Sequence, residues 1–223
     1  MVEIVPGIHW IEGINCNVYI IVDKELTLID TGLPRKAKKI LSYITGELQR
    51  KPSDLKRIII THSHLDHTGS LKAVKEATGA KVAAHPEDAE YIAGHKKMAP
   101  PKGGIRILFK LMSPFMKVEP VEVDQTIIEG DVVAGLKVIH VPGHTPGSIA
   151  LLDEKKKVLF SGDTIRFRDG KVEGPPVKFT PDPKIAALSI ERLKTLDFDI
   201  MLSGHGQPLR PEAGQKVRDT KFN

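Results

Sequence analysis

The chain has little cysteine and no long apolar run. Cys16 is the only cysteine among 223 residues, which excludes an internal disulfide and favours a small buried thiol in a strand. The longest apolar runs, such as Val18–Val22, are far shorter than the roughly 20 residues that cross a bilayer. The first residues also lack a basic stretch followed by an apolar core, the pattern of a secretory signal. We therefore expect a cytoplasmic protein that does not enter a membrane.

Motifs of several other protein classes are absent as well. There is no Gly-x-Ser-x-Gly turn for a serine nucleophile, no Walker phosphate loop and no dinucleotide-binding glycine fingerprint. Aromatic residues make up only 5 % of the chain, and no basic stripe with interleaved aromatics predicts a nucleic-acid partner. The net charge of +5 still allows a small anionic substrate, although most basic residues alternate with acidic ones, as on a solvated surface.

The overall composition is that of one soluble globular domain over residues 1–223. Apolar residues account for 40 % and charged residues for 27 %, both of which are ordinary for such a domain. Only three asparagines and four glutamines stand against many lysines and glutamates. Because this balance is typical of thermophilic proteins, we take a thermophilic source as a hypothesis.

One short segment is rich in metal-binding side chains. His62, His64, Asp66 and His67 lie within six positions, directly after the apolar run 58–60, so we expect a strand to end where they begin. A single histidine is most often an ordinary polar residue. Burying three imidazoles and a carboxylate together without a metal, however, would leave several polar groups seeking partners at ~1–3 kcal/mol each. The segment therefore predicts a metal site.

The spacing within this segment indicates two metal ions. His62 and His64 are two residues apart, so in an extended backbone both side chains leave on the same side and can converge on one cation. Asp66 and His67 are adjacent and need a turned backbone, which leaves them able to face a second cation. Imidazole nitrogen and carboxylate oxygen without thiolate suit zinc, with iron and manganese as alternatives.

Four further residues stand at predicted strand ends or between turn-forming residues. Asp30 ends an early strand, where its carboxylate could cap a turn or accept a hydrogen bond from a ligand histidine. His144 lies between Pro-Gly pairs and His205 between two glycines, and glycine lets the backbone approach closely. Asp163 follows the strand that ends at Ser161-Gly162. All four positions are therefore candidates for a functional site.

These segments resemble the metallo-β-lactamase-fold superfamily. Its His-x-His-x-Asp-His signature is intact at residues 62–67, and four further landmarks stand in the family's order, at residues 28–32, 141–148, 160–164 and 203–206. The resemblance covers most of the chain and is closest to the glyoxalase II-like branch. It implies an α/β fold, a four-layer αββα sandwich of two mixed β-sheets flanked by helices, with a dinuclear metal site at one edge.

The resemblance also assigns roles to individual residues. It implies that His62, His64 and His144 bind the first metal, that Asp66, His67 and His205 bind the second, and that Asp163 bridges the two. For Asp30 it favours the hydrogen bond to a ligand histidine over the turn cap, without making Asp30 a metal ligand. Asp66 and Asp163 are the implied catalytic residues, Asp66 by orienting a metal-bridged hydroxide and Asp163 by passing a proton to the leaving group.

A metal-dependent hydrolase of a small ester, thioester or lactone is the function that this resemblance implies. Arg166, close after Asp163, is a hypothetical anchor for an anionic substrate. Two other activities of the same fold remain open. A mononuclear iron persulfide dioxygenase would leave the second-metal residues idle, and a nuclease or phosphodiesterase would act on nucleic acid, which the lack of an aromatic and basic stripe disfavours.

Periodicity predicts the elements around these residues. Strands are predicted over residues 2–11, 17–23, 26–30, 57–61, 81–85, 136–141, 149–153, 158–161 and 200–202. Helices are predicted over residues 34–49, 70–78 and 183–196, with Gly79 as the stop of the second. The polar residues 210–223 are expected to fray in part. The apolar stripe over residues 105–116 predicts a helix that packs in the core, covers the substrate or forms a homodimer surface.

Overall fold

A computed structural model describes residues 2–12, 14–97 and 118–222. The described chain divides into two units, the first ending at Thr126 and the second beginning at Ile127. Each unit has its own mixed β-sheet and its own helices, so the predicted α/β class with two mixed sheets and flanking helices is confirmed. The segment 105–116 lies outside the described residues, and its predicted role as core, lid or dimer surface stays a prediction.

A seven-stranded sheet forms the first unit. Its strands, in the order of both the sheet and the chain, are β1 (Val2–Val5), β2 (Ile8–Ile11), β3 (Val18–Val22), β4 (Leu26–Ile29), β5 (Leu55–Ile59), β6 (Lys81–Ala84) and β7 (Gln125–Thr126). Strands β1 to β4 pair antiparallel, and β4 to β7 pair parallel. The single strand predicted over residues 2–11 is wrong. Gly7, with a φ of 78°, allows a turn after Pro6, and the two halves pair as a hairpin.

The helices of the first unit bury apolar stripes with the sheet. They are α1 (Ala37–Ser42), α2 (Leu65–Thr68), α3 (Leu71–Thr78) and α4 (Pro86–Ile92). Ile40, Leu71 and Val74 lie in one buried cluster with the strand residues Leu28 and Ile58. Each such side chain contributes ~1.5–3 kcal/mol when it is fully buried. The predicted stop of α3 is confirmed, since Gly79 ends the helix in the left-handed region at a φ of 72°.

The first long helix is shorter than the predicted range 34–49. After α1 the chain passes into a π-helical turn, Tyr43–Glu47, in which the Leu48 N–H donates to the Tyr43 carbonyl at 3.1 Å. Thr45 and Gly46 lie inside this turn, and both are weaker helix formers than the residues before them. The apolar spacing of residues 34–49 therefore predicts the buried face correctly, but only the first part of the helical segment is an α-helix.

Helix α4 was not predicted, although its start has a recognisable signal. Pro86 occupies a first-turn position, where its missing N–H costs no helical hydrogen bond. His85, at the end of β6, accepts a hydrogen bond at Nδ1 from the Glu87 N–H, at 3.3 Å. His85 thus stands at a strand end, as predicted, and also caps the following helix.

A five-stranded sheet forms the second unit. Its strands, in sheet order, are β14 (Ile200–Ser203), β11 (Val158–Gly162), β10 (Ile149–Asp153), β9 (Leu136–His140) and β8 (Val132–Val133). Only the β11–β14 pair is parallel. A separate hairpin joins β12 (Arg166–Arg168) and β13 (Lys171–Glu173). The strand predictions in this unit are confirmed to within a residue or two at their ends.

Two helices complete the described part of the second unit, α5 (Pro183–Lys194) and α6 (Ala213–Asp219). Helix α5 is predicted, but α6 is not: within residues 210–223, which are predicted to fray in part, Ala213–Asp219 form a helix. Ala213 and Val217 are four residues apart and fully buried, and both pack in a core cluster with Leu193 of α5. Two buried positions one turn apart therefore hold this otherwise polar segment. Among the described residues, no helix is both long enough and apolar enough to cross a membrane.

Candidate metal centre

The first unit gathers its polar residues where parallel strands end. Strands β4 and β5 run in parallel with Ile29 paired to Ile59, so the residues after both strands reach the same edge of the sheet. Asp30 comes directly after β4, and the segment from Thr61 comes just after β5. The Asp30 N–H donates to the Ile59 carbonyl at 3.0 Å, which extends the pairing to the edge itself.

Asp30 is the hub of the first unit's cluster. Its carboxylate accepts three hydrogen bonds of 2.8 Å each, from the Thr61 N–H, the Thr61 hydroxyl and His67 Nδ1. Asp30 is only 1 % exposed and has a left-handed backbone with a φ of 62°, a conformation that costs most residues ~1–2 kcal/mol and aspartate less. Asp30 thus accepts a hydrogen bond from a candidate ligand histidine, which is the arrangement that the family resemblance favours.

The surroundings of His67 attract positive charge. Burial alone lowers the pKa of this imidazole, but the nearby Cys16, Asp30 and Asp66, together with the hydrogen bond to Asp30, outweigh burial and raise the pKa well above its ordinary value. Because Nδ1 faces Asp30, the nitrogen that can bind a metal is Nε2, which lies 3.8 Å from Asp66 Oδ2. A cation at this position would neutralise the same carboxylates.

Three imidazoles of the first unit pack against one another. The ring centroids of His62 and His64 are 4.9 Å apart, and those of His62 and His67 are 3.9 Å apart. His64 is the last extended residue and caps α2, the short helix that carries Asp66 and His67. The backbone therefore changes from extended to helical within the motif, as its spacing predicted. Nitrogen and carboxylate donors at this density fit a divalent transition metal.

Two residues of the first unit that support this cluster were missed or only partly anticipated. Asp88, on α4, is 1 % exposed, and its Oδ2 accepts a hydrogen bond of 2.7 Å from the Ser63 N–H, between the first two histidines. In the sequence, the only sign of this role is that Asp88 is the third residue of a helix that begins with proline. Cys16 is buried and free, as predicted, but it lies before β3, which begins at Val18, so its predicted place in a strand is wrong. Burial raises the pKa of its thiol to about 11, against the opposing effect of the neighbouring His67.

In the second unit, a pair of parallel strands brings Asp163 and His205 to one edge. Strands β11 and β14 are parallel with Phe160 paired to Leu202, and the two residues lie just beyond their ends. A hydrogen bond of 2.7 Å from the Gly204 N–H to the Gly162 carbonyl ties the two loops together. The resulting distance between His205 Nε2 and Asp163 Oδ2 is 3.5 Å.

His144 approaches the same carboxylate from the loop after β9. Its Nε2 lies 3.6 Å from Asp163 Oδ2, and both side chains are almost fully buried. Gly143 has a φ of 122°, and a Cβ there would stand 2.3 Å from the Ala186 backbone nitrogen of α5. The predicted close backbone approach beside His144 is therefore confirmed. The second unit thus joins His144, Asp163 and His205, which lie far apart in the sequence.

Thr180 is a further neighbour of this cluster that the sequence did not reveal. It is 1 % exposed, and its Oγ1 lies 3.2 Å from His144 Nδ1. It comes after a short 3-10 turn, Val177–Phe179, in a segment where no periodic pattern distinguishes it. A buried hydroxyl of this kind can be recognised only from its contacts.

Arg166, the hypothetical substrate anchor, makes its described side-chain contacts with the end of its own hairpin. Its Nε and Nη2 donate to the Gly174 carbonyl at 3.1 and 2.9 Å, and Nη2 lies 3.4 Å from Glu173 Oε2. The side chain is 12 % exposed. These contacts hold β12 against the end of β13, so a substrate carboxylate would have to compete with them. The anchoring role stays a prediction.

Three histidines outside the two clusters have ordinary hydrogen-bond or ion-pair partners. His9 Nδ1 lies 2.9 Å from the Tyr43 hydroxyl, and His140 Nε2 lies 2.9 Å from the Pro146 carbonyl. His95 is exposed and pairs with Glu90 and Glu122. Within the described residues, each unit therefore keeps its densest group of imidazoles and carboxylates at the edge where its parallel strands end.

The chain is similar to several known proteins. A family model for the metallo-beta-lactamase superfamily matches residues 11–205. A probable metallo-hydrolase, YflN, of Bacillus subtilis is 30 % identical, with 93 % of this chain and 86 % of that protein covered. The hydroxyacylglutathione hydrolase GloC of Haemophilus influenzae is 25 % identical, with 99 % and 97 % covered. The crystal structure of a metallo-beta-lactamase family protein, TTHA1429, of Thermus thermophilus has a TM-score of 0.74 at 24 % identity, with 97 % of this chain and 79 % of that one covered.

These similarities agree with the local geometry. The family match spans the segment from β2 to His205 and so includes both clusters, and the structural likeness extends over nearly the whole chain. The relatives are named as hydrolases at about 25–30 % identity, which supports a hydrolytic enzyme without fixing its substrate. The chain belongs to the metallo-beta-lactamase superfamily and is a hydrolase of that family.

Proposed function

We propose that this chain is a metal-dependent hydrolase of a small ester, thioester or lactone, with a thioester as the first candidate. The observation that carries the proposal is the buried histidine cluster of the first unit, in which Asp30 and Thr61 bind the Nδ1 atoms of His67 and His62. Imidazoles tied back in this way present Nε2 as a ligand. The name of the relative GloC, a hydroxyacylglutathione hydrolase, supports a thioester, because an acylated glutathione carries its acyl group on sulfur.

The proposed ligand set follows the family pattern residue by residue. It comprises His62, His64, Asp66 and His67 from the first unit and His144, Asp163 and His205 from the second, holding two divalent ions, with zinc as the first choice. Bound divalent ions lower the pKa of water from 15.7 to about 7 and polarise a substrate carbonyl. The donor types support this choice, since all seven side chains offer nitrogen or carboxylate oxygen.

The protein's own groups supply orientation and proton transfer. The buried Asp30 fixes the ring of His67 through Nδ1, and Asp88 fixes the backbone of the loop at Ser63. Asp66, which is partly exposed, is proposed to orient the attacking water by accepting its hydrogen bond. Asp163 is proposed to take up the proton that the attacking water gives up and to pass it on to the leaving group. A thiol leaving group is far more acidic than an alcohol, so a thioester requires less of Asp163 than an ester or lactone does.

Metal content and substrate turnover on one sample test the proposal. Elemental analysis of the purified protein should find close to two divalent ions per chain. A panel of a small ester, a thioester, a lactone and a phosphodiester should then show turnover of an acyl substrate. One iron per chain with oxygen uptake on a persulfide would replace the proposal with a dioxygenase, and phosphodiester cleavage alone would replace it with a nuclease.

Asp163→Asn tests the bridging assignment. The variant should fold normally but lose bound metal or turnover by a factor of ~10² or more, since a removed catalytic group typically contributes that much. Asp153→Asn is the matched control, because Asp153 is a carboxylate of the same unit that accepts the Lys155 and Lys156 N–H groups in a turn. The control should keep both metals and full activity. Full activity in Asp163→Asn would contradict the assignment.

A further inference from the structure

Thr180 makes two contacts that together determine where its proton lies. Its Oγ1 is 2.9 Å from the Pro176 carbonyl and 3.2 Å from His144 Nδ1. A carbonyl oxygen can only accept, so the hydroxyl proton of Thr180 points to Pro176. The same oxygen then faces His144 with a lone pair.

The contact to His144 therefore fixes the imidazole's tautomer. With the hydroxyl proton committed, the contact is a hydrogen bond only if Nδ1 of His144 carries a proton and donates it. A neutral imidazole protonated at Nδ1 has its lone pair on Nε2, and that atom lies 3.6 Å from Asp163 Oδ2. The hydroxyl thus turns the lone pair of His144 towards Asp163.

The first unit has the same arrangement at an unrelated position. Thr61 donates its hydroxyl proton to Asp30 Oδ2 at 2.8 Å, and its Oγ1 lies 3.1 Å from His62 Nδ1. By the same reasoning, His62 carries its proton on Nδ1. The two cases differ in the final acceptor, a carboxylate behind Thr61 and a neutral carbonyl behind Thr180.

We infer that Thr180 is a positioning residue that holds His144 in the Nδ1-protonated tautomer and in the ring orientation that metal binding requires. The inference rests on the proposed function in so far as His144 binds a metal. Outer partners of this kind typically contribute 10–100-fold to metal affinity. A merely structural role, in which Thr180 only closes the turn to Pro176, would leave the imidazole unaffected.

The variants Thr180→Val and Thr180→Ser separate these roles. Valine has nearly the same shape without the hydroxyl, and serine keeps the hydroxyl without the methyl group. Ser189→Ala is the matched control, because Ser189 Oγ donates to the Pro142 carbonyl at 2.7 Å, two residues before His144. The control removes a buried hydrogen bond from the same loop while the partner of His144 Nδ1 stays in place.

The first measurement is the tautomer of His144 in the full-length, metal-free chain, by long-range proton–nitrogen correlation on ¹⁵N-histidine-labelled protein. Wild type, Thr180→Ser and Ser189→Ala should carry the proton on Nδ1, and Thr180→Val should shift towards Nε2 or a mixture. A wild-type ring with its proton on Nε2 and none on Nδ1 would overturn the inference, and this result does not depend on whether any variant folds.

The second measurement is zinc affinity by competition with a chromophoric chelator. Thr180→Val should bind zinc ~10–100-fold more weakly than the wild type, and Thr180→Ser and Ser189→Ala should remain close to it. Wild-type tautomer and wild-type affinity in Thr180→Val would overturn the inference. A wild-type chain that binds no zinc would defeat the proposed function instead, while the tautomer would still decide the effect of Thr180 on His144.

Discussion

The two units support their candidate ligands with different chemistry. In the first unit the supporting groups are buried carboxylates: Asp30 holds Thr61 and His67, and Asp88 holds Ser63. In the second unit, two of the described contacts at the ligand loops come from neutral hydroxyl groups. Thr180 faces His144, and the hydroxyl of Ser161 donates to the Ile165 carbonyl at 2.7 Å across Asp163. The first cluster is therefore built on charge and the second on neutral hydrogen bonds.

This difference has consequences for both the metal site and stability. A carboxylate behind an imidazole makes the ring a stronger donor to a metal, whereas a hydroxyl mainly fixes its orientation. A buried carboxylate is also costly to leave with broken hydrogen bonds, and a neutral hydroxyl is less so. We therefore expect the first unit to tolerate changes beside its ligands less well than the second unit does.

Asp30→Ala should have the largest effect on stability. It removes the acceptor of three hydrogen bonds in a site that is 1 % exposed, and each donor left unsatisfied costs ~1–3 kcal/mol. Alanine also tolerates the left-handed backbone at this position less well than aspartate. The free energy of unfolding, measured by urea denaturation, should fall by at least ~3 kcal/mol.

Asp30→Asn is the matched control for that variant. Asparagine tolerates the left-handed backbone and keeps a carbonyl oxygen, so it can still accept from Thr61, but it loses the charge beside His67. Its stability should lie between those of the wild type and Asp30→Ala. A loss below ~1 kcal/mol in Asp30→Ala, the lower bound for a single unsatisfied donor, would show that the carboxylate is not the hub of the first cluster.

A paired comparison of Asp88→Ala and Ser161→Ala tests the contrast between the units directly. Asp88 accepts a hydrogen bond from the ligand loop of the first unit, and the Ser161 hydroxyl donates a hydrogen bond at the ligand loop of the second. Losing the carboxylate should destabilise the chain by ~2–3 kcal/mol and losing the hydroxyl by ~1 kcal/mol. Urea denaturation of both variants gives the two values, and a larger loss in Ser161→Ala would reverse the comparison.

The sequence predicted the helices and strands better than it predicted the residues that hold the candidate ligands in place. Strand periodicity and the landmarks at residues 62–67 located the first cluster, because ligands adjacent in sequence leave a dense local pattern. Asp163 and His205 come together only through the parallel pairing of β11 with β14, and the sequence indicated them through the family resemblance. Thr180 and Asp88 contact the candidate ligand segments through hydrogen bonds between residues far apart in the sequence, which no local pattern records.

The missed helices have a similar explanation. Helix α6 has a mostly polar sequence and lies in the segment that is predicted to fray in part, yet Ala213 and Val217 are fully buried. Tertiary packing therefore overrides a weak intrinsic preference. Helix α4 did have a local signal in Pro86, which marks a first turn. The sequence of α6 has no comparable start signal, whereas Pro86 marks the start of α4.

The smallest expected effect lies at the surface, where the two units should behave alike. Burial raises the pKa of Asp124 in the first unit, but hydrogen bonds from Lys75 and the Val82 N–H outweigh it and lower the pKa below the ordinary 3.8. Burial likewise raises the pKa of Glu129 in the second unit, but hydrogen bonds from Arg192 and the His140 N–H outweigh it and lower the pKa below the ordinary 4.5.

A carboxylate whose pKa is lower in the folded chain than in the unfolded chain stabilises the fold. This stabilisation is fully present above the ordinary pKa and is lost as the pH falls through the folded pKa. Both ion pairs are about a third exposed or more, so each contributes less than ~1 kcal/mol.

Urea denaturation from about pH 6 to about pH 3.5 tests this. The free energy of unfolding of the wild type should be slightly larger than that of Asp124→Asn and of Glu129→Gln, and the difference should shrink towards the acid end. An advantage confined to one unit would show that the contrast between them extends beyond the candidate metal ligands.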